Sequence, residues 1–328
     1  MLPIPTTAKE EDNAVGRALT RFQGSMLVLA AGAVFSFGPL TFRALLEADD
    51  WQYLFYRSFS AAVVAALTIM VLGRNPIRSI VEAGLRQAVA GLALGSCFVL
   101  FILSLSRATA AFVLLLQCTS PFVAAILARV FLRERVRRDT GVAMLGASVG
   151  VAIMVRGGLD GGDRLGILLS LLLPVFLGGY TVLIRSSPAR DPGVPVLIGG
   201  FAVAVVAGLV SLAGPGLDLP IRDVAMGCIG GGLLIGLGAP VFNYAHRFVP
   251  PADTSLLLIS EIVLAPLWLW AWPGEVPSAS TLVGGGVALS AVVWLTVRAA
   301  FQEGPTRLRW SHGLHAGAVA IEPGHPDR

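Results

Sequence analysis

Apolar residues run almost without interruption through ten windows, at roughly 24–45, 51–72, 85–104, 108–130, 140–156, 164–185, 195–213, 224–245, 253–272 and 281–300. Strands that close into a membrane barrel are about 10 residues long and alternate in polarity. These windows are continuously apolar over roughly 17 to 23 residues, so they predict ten α-helices. A span takes roughly 20 residues to cross about 30 Å of hydrocarbon. Ten spans use about 200 of the 328 residues, and the remainder suffices for short loops and two tails.

Composition strengthens that picture. Hydrophobic residues make up 55% of the chain and charged ones 13%, about half the charge of a soluble domain, so a water-soluble fold could not cover itself. The 38 glycines and 20 prolines fall inside apolar runs, where bilayer-spanning helices tolerate them. The predicted class is an all-α integral membrane protein. Residues 1–23 are polar, carry Lys9, Arg17 and Arg21, and lead into an apolar run longer than a signal-peptide core, which predicts a retained first span.

With both termini inside, the inner segments hold 18 lysines and arginines and the outer ones five. That bias predicts an even number of spans in a cell inner membrane, with residues 1–23 and a disordered tail, 301–328, in the cytoplasm. The net charge of +4 comes from 23 arginines and one lysine that form no binding face, so nucleic acid is not an expected partner. Cys97, Cys118 and Cys228 lie in apolar segments and read as small packing residues. His312, His315 and His325 sit in the tail among Gly, Pro and charged residues; neither a metal nor any other cofactor is expected.

An internal repeat gives the architecture. Residues 104–134 align without gaps on residues 245–275 at an offset of 141, and Ala111, Leu115, Leu116, Ala124 and Glu134 recur as Ala252, Leu256, Leu257, Ala265 and Glu275. Each segment is the fourth helix in a set of five. An odd number of spans per copy turns the second copy upside down, so 24–156 and 164–300 read as two inverted five-helix repeats, ten transmembrane helices in all. Secondary transporters build two related gates around a midplane site in this way.

The same segments carry a resemblance. A small residue, Ser104, precedes an Ala/Leu-rich helix with Pro121; Glu134 follows 13 residues later, and then a helix containing Gly141. This resembles the EamA-type branch of the drug/metabolite transporter (DMT) superfamily over about residues 24–300. The resemblance implies a carrier of small metabolites, with export of amino acids or related compounds as the expected activity. Two departures stand out. Where the family's second copy commonly has Glu followed by Pro, this chain has Glu261 and Ile262, with the next proline at Pro266, which predicts a shifted helix break. Leu132 and Arg133 replace the usual Leu-Gly.

Glu261 lies about nine residues into its span, where a charge is expensive. It is the candidate for proton coupling or for binding a substrate amine; the alternative is a structural hydrogen bond between helices. Arg57 can clamp a carboxylate through two parallel hydrogen bonds, pair with an acid on a neighbouring helix, or snorkel to the outer surface. Gln117 and Ser120 flank the kink at Pro121, and Ser120 pairs with Glu261 under the 141 offset. Ser36, Tyr180, Asn243 and Trp268 complete the candidate substrate-binding set, against backbone satisfaction, interfacial anchoring and the aromatic belt as plain readings. Glu134 and Glu275 read as braces of the short links. Glycine pairs at 91 and 95, 146 and 150, 227 and 231, and 232 and 236 read as close helix packing.

No GxxxxGK[ST] loop is present, so ATP drive within the chain is excluded. The expected function is a secondary transporter working by alternating access, with a small-molecule substrate and membrane lipids as partners. Self-association into a homo-oligomer is left open. A membrane sensor or scaffold is the alternative. An integral-membrane enzyme is further off, since no HExxH or nucleophile elbow appears.

Overall fold

Helix formation begins at side-chain caps. Asp49 accepts the Gln52 N–H at 2.7 Å while Gln52 Oε1 accepts the Asp49 N–H at 3.0 Å, and Thr20 and Gln23 make the same reciprocal pair. Asn75 with Pro76, and Asp163 on the Gly166 N–H at 2.6 Å, start two more helices. The Gly166 backbone donor, joined by Arg107, holds the exposed Asp163 carboxyl below its ordinary value.

The structure, a computed structural model, describes residues 20–108, 113, 116–117, 119–133, 137–155, 163–187, 191–271 and 279–302. Among the described residues all regular structure is helical. The elements are α1 (Arg21–Phe35), α2 (Gly38–Arg43), α3 (Asp50–Val71), α4 (Pro76–Leu105), α5 (Ser120–Leu127), α6 (Arg138–Val155), α7 (Arg164–Ser186), α8 (Val194–Ala213), α9 (Ile221–Cys228), α10 (Gly238–Ala245), α11 (Pro251–Leu257), α12 (Ile259–Ala271) and α13 (Ala279–Gln302). A π-helical turn, Ala128–Leu132, extends α5, and a π-helix, Ile229–Leu237, joins α9 to α10.

Six stretches among these are long and apolar enough to cross a bilayer: Arg21–Arg43, Asp50–Val71, Pro76–Leu105, Arg164–Ser186, Val194–Ala213 and Ile221–Ala245. The described residues of the remaining windows are helical apart from Ala108, Thr119 and Leu258. Cys118, Glu134, Glu275, Trp272 and residues 1–19 and 303–328, with Lys9, Arg17 and the three tail histidines, lie outside the described residues.

The break in the last quarter of the chain differs from expectation. It falls at Leu258, between α11 and α12, rather than toward Pro266. There the Glu261 N–H turns back to the Leu258 carbonyl at 3.0 Å and Ser260 Oγ donates to Leu257 O at 2.7 Å, so a tight turn precedes Glu261. Gly84, at φ 74°, kinks α4 where its apolar window begins.

Helix packing runs across the two halves of the chain. α3 lies on α8, α4 on α7 and α8, α9 to α10 on α3 and α1, α5 on α7 and α11, and α6 on α13. The glycine pairs sit at these seams: Gly91 and Gly95 against α8, Gly146 and Gly150 against α13, and Gly227, Gly231 and Gly236 against α3. Polar contacts collect at two ends. At one, Asp253 binds Arg21 and Thr140, and Asp191 binds Arg74 and Ser79. At the other, the Asp223 carboxylate accepts the N–H groups of Leu46, Glu47 and Ala48 at 2.9 Å each, and Tyr56 donates to Leu217 O at 2.6 Å.

The tightest seam sets a stability expectation. A Cβ on Gly231 would stand 1.7 Å from the Arg57 carbonyl oxygen and 2.4 Å from Ser60 Oγ, so Gly231→Ala forces α3 away. Overpacking of this kind costs about 1–3 kcal/mol, and thermal unfolding of purified protein should show the loss. Gly286→Ala, with open space around it, should leave the midpoint unchanged or raised. An unaltered midpoint for Gly231→Ala would mean that these spans do not meet there.

Candidate functional site

Buried positions on α3 recur every fourth residue, at Tyr53, Arg57, Ala61, Ala65 and Ile69, so the helix turns Arg57 inward. The side chain does not snorkel: Arg57 is 9% exposed. Its guanidinium carbon lies 5.4 Å from the Phe98 ring centroid and 6.0 Å from that of Tyr53, a cation–π setting. Its Nε and Nη1 are buried with no hydrogen-bond partner.

Arg57 lines a cavity of about 120 Å³. Glu261, in the first turn of α12, lines it too. Arg57 and Glu261 form no ion pair. Gln117 lines the same cavity with its Oε1 buried and without a partner. Phe35, Phe98, Phe101, Tyr180 and Phe242 supply aromatic walls. Gly230, Leu234 and Ile235 of the π-helix form a further wall; such segments recur at functional sites.

The structure thus brings four of the sequence-predicted residues, Arg57, Gln117, Tyr180 and Glu261, to one cavity. The other four lie outside its lining. Asn243 stands behind Tyr180, accepting its hydroxyl at Oδ1 and donating to Pro192 O at 2.8 Å. Ser36 accepts from Trp268 Nε1 at 2.6 Å, and Trp268 stacks on Phe37 with centroids 4.5 Å apart. Ser120 is buried at the start of α5. Tyr53 and Phe98 escaped the sequence reading, although a tyrosine one turn before an intramembrane arginine was a legible signal.

Beyond Tyr180 an aromatic stack continues through Phe242 to His246, at 6.4 Å and 5.6 Å between centroids. His246 lies one residue past the span Ile221–Ala245 and is 1% exposed. Its Nε2 meets Thr181 O at 2.5 Å and its Nδ1 meets Thr254 Oγ1 at 2.8 Å. Burial pushes its pKa down to about 4, although the Thr181 carbonyl pulls upward. The ring is neutral in the folded protein and titrates near 6.5 when unfolded.

Below pH 6.5 the unfolded chain therefore takes up a proton that the folded one refuses, so stability falls as pH drops from 6.5 toward 4. The loss amounts to about 3 kcal/mol at the lower limit. Thermal unfolding in detergent should show this slope flattened in His246→Gln; an identical slope in the variant would assign the acid sensitivity elsewhere.

Chemically, the cavity is lined by a fixed cation, a carboxylate, an amide and aromatic surface. It suits a small molecule carrying opposite charges and an apolar body.

Comparison with known proteins supplies three findings. Residues 22–156 match the EamA-like transporter family, and no curated protein matches the chain. A solved structure described only as "Crystal structure of protein" is similar with a TM-score of 0.72 at 15% identity, over 84% of this chain and 98% of its own. At that identity the likeness speaks for the fold alone.

Proposed function

We propose that this chain, which matches the EamA-like transporter family over residues 22–156, is a multi-pass membrane transporter of the DMT superfamily, a secondary transporter that exports zwitterionic metabolites such as amino acids by alternating access. The observation that carries this reading is Arg57 and Glu261 lining one cavity without a direct ion pair between them. A substrate carboxylate satisfies the two free guanidinium donors, a substrate ammonium meets Glu261, and the aromatic walls take the side chain. Glu261 carries the coupling proton. Asn243 acts from behind the lining, through the Tyr180 hydroxyl it holds.

Two features support a ten-span, inverted-repeat architecture. Exchanging the halves converts α4 on α8 into the α9–α10 span on α3, and α4 on α7 into that span on α1; α3 on α8 and α6 on α13 convert into themselves. The fourth helix of each half is also interrupted at a matching depth, before Ser120 and at Leu258. An inner-membrane location with cytoplasmic termini rests on the 18-to-five bias of basic residues.

The test is counterflow of a metabolite panel in proteoliposomes with purified protein. Accumulation of labelled amino acids, driven by unlabelled ones inside, is the expected result. Accumulation only of solutes that lack either charge would overturn the substrate assignment. Absence of any counterflow would favour the sensor or scaffold, and chemical turnover of a panel member the enzyme.

A further inference from the structure

Between α1–α2 and the span from α9 to α10 lies a second and larger hollow, of about 860 Å³, open on the flank of the molecule. Its walls are apolar, with Val34 and Leu40 on one side and Leu233 and Leu237 on the other. Leu233 is 55% exposed and Leu237 47% exposed, so this flank faces the bilayer. A hollow of this size with apolar walls forfeits dispersion contacts when unfilled and offers water no partners. A hydrocarbon chain meets both requirements.

One end of the hollow carries a cation. Arg222, in the first turn of α9, lines it and has no ion-pair partner among the described residues. The neighbouring Asp223 carboxylate does not serve as one, because it is buried and spends its oxygens on three backbone N–H groups of residues 46–48.

We propose that this groove holds one anionic phospholipid, an acyl chain lying between Val34 and Leu233 and the phosphate resting on Arg222. Leu234 lines both the groove and the central cavity, so the lipid tail braces the cavity wall from outside.

Native mass spectrometry of the purified full chain, taken from micelles holding equal phosphatidylglycerol and phosphatidylcholine, tests this. The wild type should retain one phosphatidylglycerol with about fivefold preference, the advantage of one interfacial cation. Arg222→Gln should equalise the two lipids. Leu233→Trp, which fills the groove, should reduce retention of both, whereas Leu212→Trp on the exposed face of α8 should change neither. Equal retention of both lipids by the wild type, or a preference that survives both Arg222→Gln and Leu233→Trp, would overturn the proposal.

Discussion

Replacing Arg57 by alanine is expected to weaken apparent affinity for a carboxylate-bearing substrate about 30-fold or more while leaving thermal stability unchanged or higher. The two effects separate because two of the guanidinium donors, Nε and Nη1, are buried and unpartnered in the empty protein, where the cation rests on the Phe98 and Tyr53 rings. Buried donors left without a partner cost stability, so their removal offsets what the ring contacts supply. Losing one partner of a desolvated, hydrogen-bonded charge pair costs about 2–5 kcal/mol in binding, which sets the 30-fold lower figure. Arg57→Lys keeps the charge but loses the planar fork, and one missing hydrogen bond to a charged group predicts about a tenfold fall. Equilibrium binding and thermal unfolding on the same preparations give both readouts. A drop of several degrees in midpoint for Arg57→Ala, with affinity retained, would make the residue a structural brace over Tyr53 and Phe98.

Much of the fold was legible because membrane spans announce themselves through length and apolarity, which need no tertiary information. Each of the six stretches that qualify as spans overlaps a predicted window, the largest excess being Pro76–Leu105 against 85–104. The inward turn of Arg57 was not legible in the same way. Its distance from the outer end of the window suited snorkelling equally well, and only the packing of α3 on α8 and the π-helix decides between them. Gln117 and Glu261 were found because a polar side chain in a 20-residue apolar run is itself a signal. The aromatic walls were not, since phenylalanine is unremarked in any membrane helix.

The break at Leu258 shows where motif reasoning falls short. Proline is one way to open a helix, and its absence after Glu261 suggested a shift toward Pro266. The chain instead opens upstream, where Ser260 and Glu261 bond back three residues. His246 was overlooked for a related reason. A histidine at a span end reads as interfacial, and its burial depends on Thr181 and Thr254 from two other elements.

Glu261→Gln is expected to uncouple transport from the proton gradient without abolishing exchange. The side chains are nearly isosteric, so α12 and its contact with α1 should survive: Gly32 sits 2.6 Å, measured from an ideal Cβ, from Ser260 Oγ, and nothing in that contact needs a carboxylate. A gradient-driven cycle requires a group that loads a proton on one side and releases it on the other. In the described part of the cavity lining Glu261 is the only carboxyl. Glutamine cannot ionise, so concentrative movement against a solute gradient should fall to background in proteoliposomes with an imposed pH difference. Counterflow at zero gradient should persist, with affinity for an amino acid lowered about tenfold by loss of the charge that meets its ammonium group. The rate of that exchange should also become flat with pH. Gradient-driven accumulation that persists in Glu261→Gln would move the coupling proton to another residue, and unfolding of the variant would return Glu261 to a structural hydrogen bond. Comparing Glu261→Gln with Arg57→Ala then separates the two halves of the site: the first loses coupling and keeps exchange, and the second loses substrate in both assays.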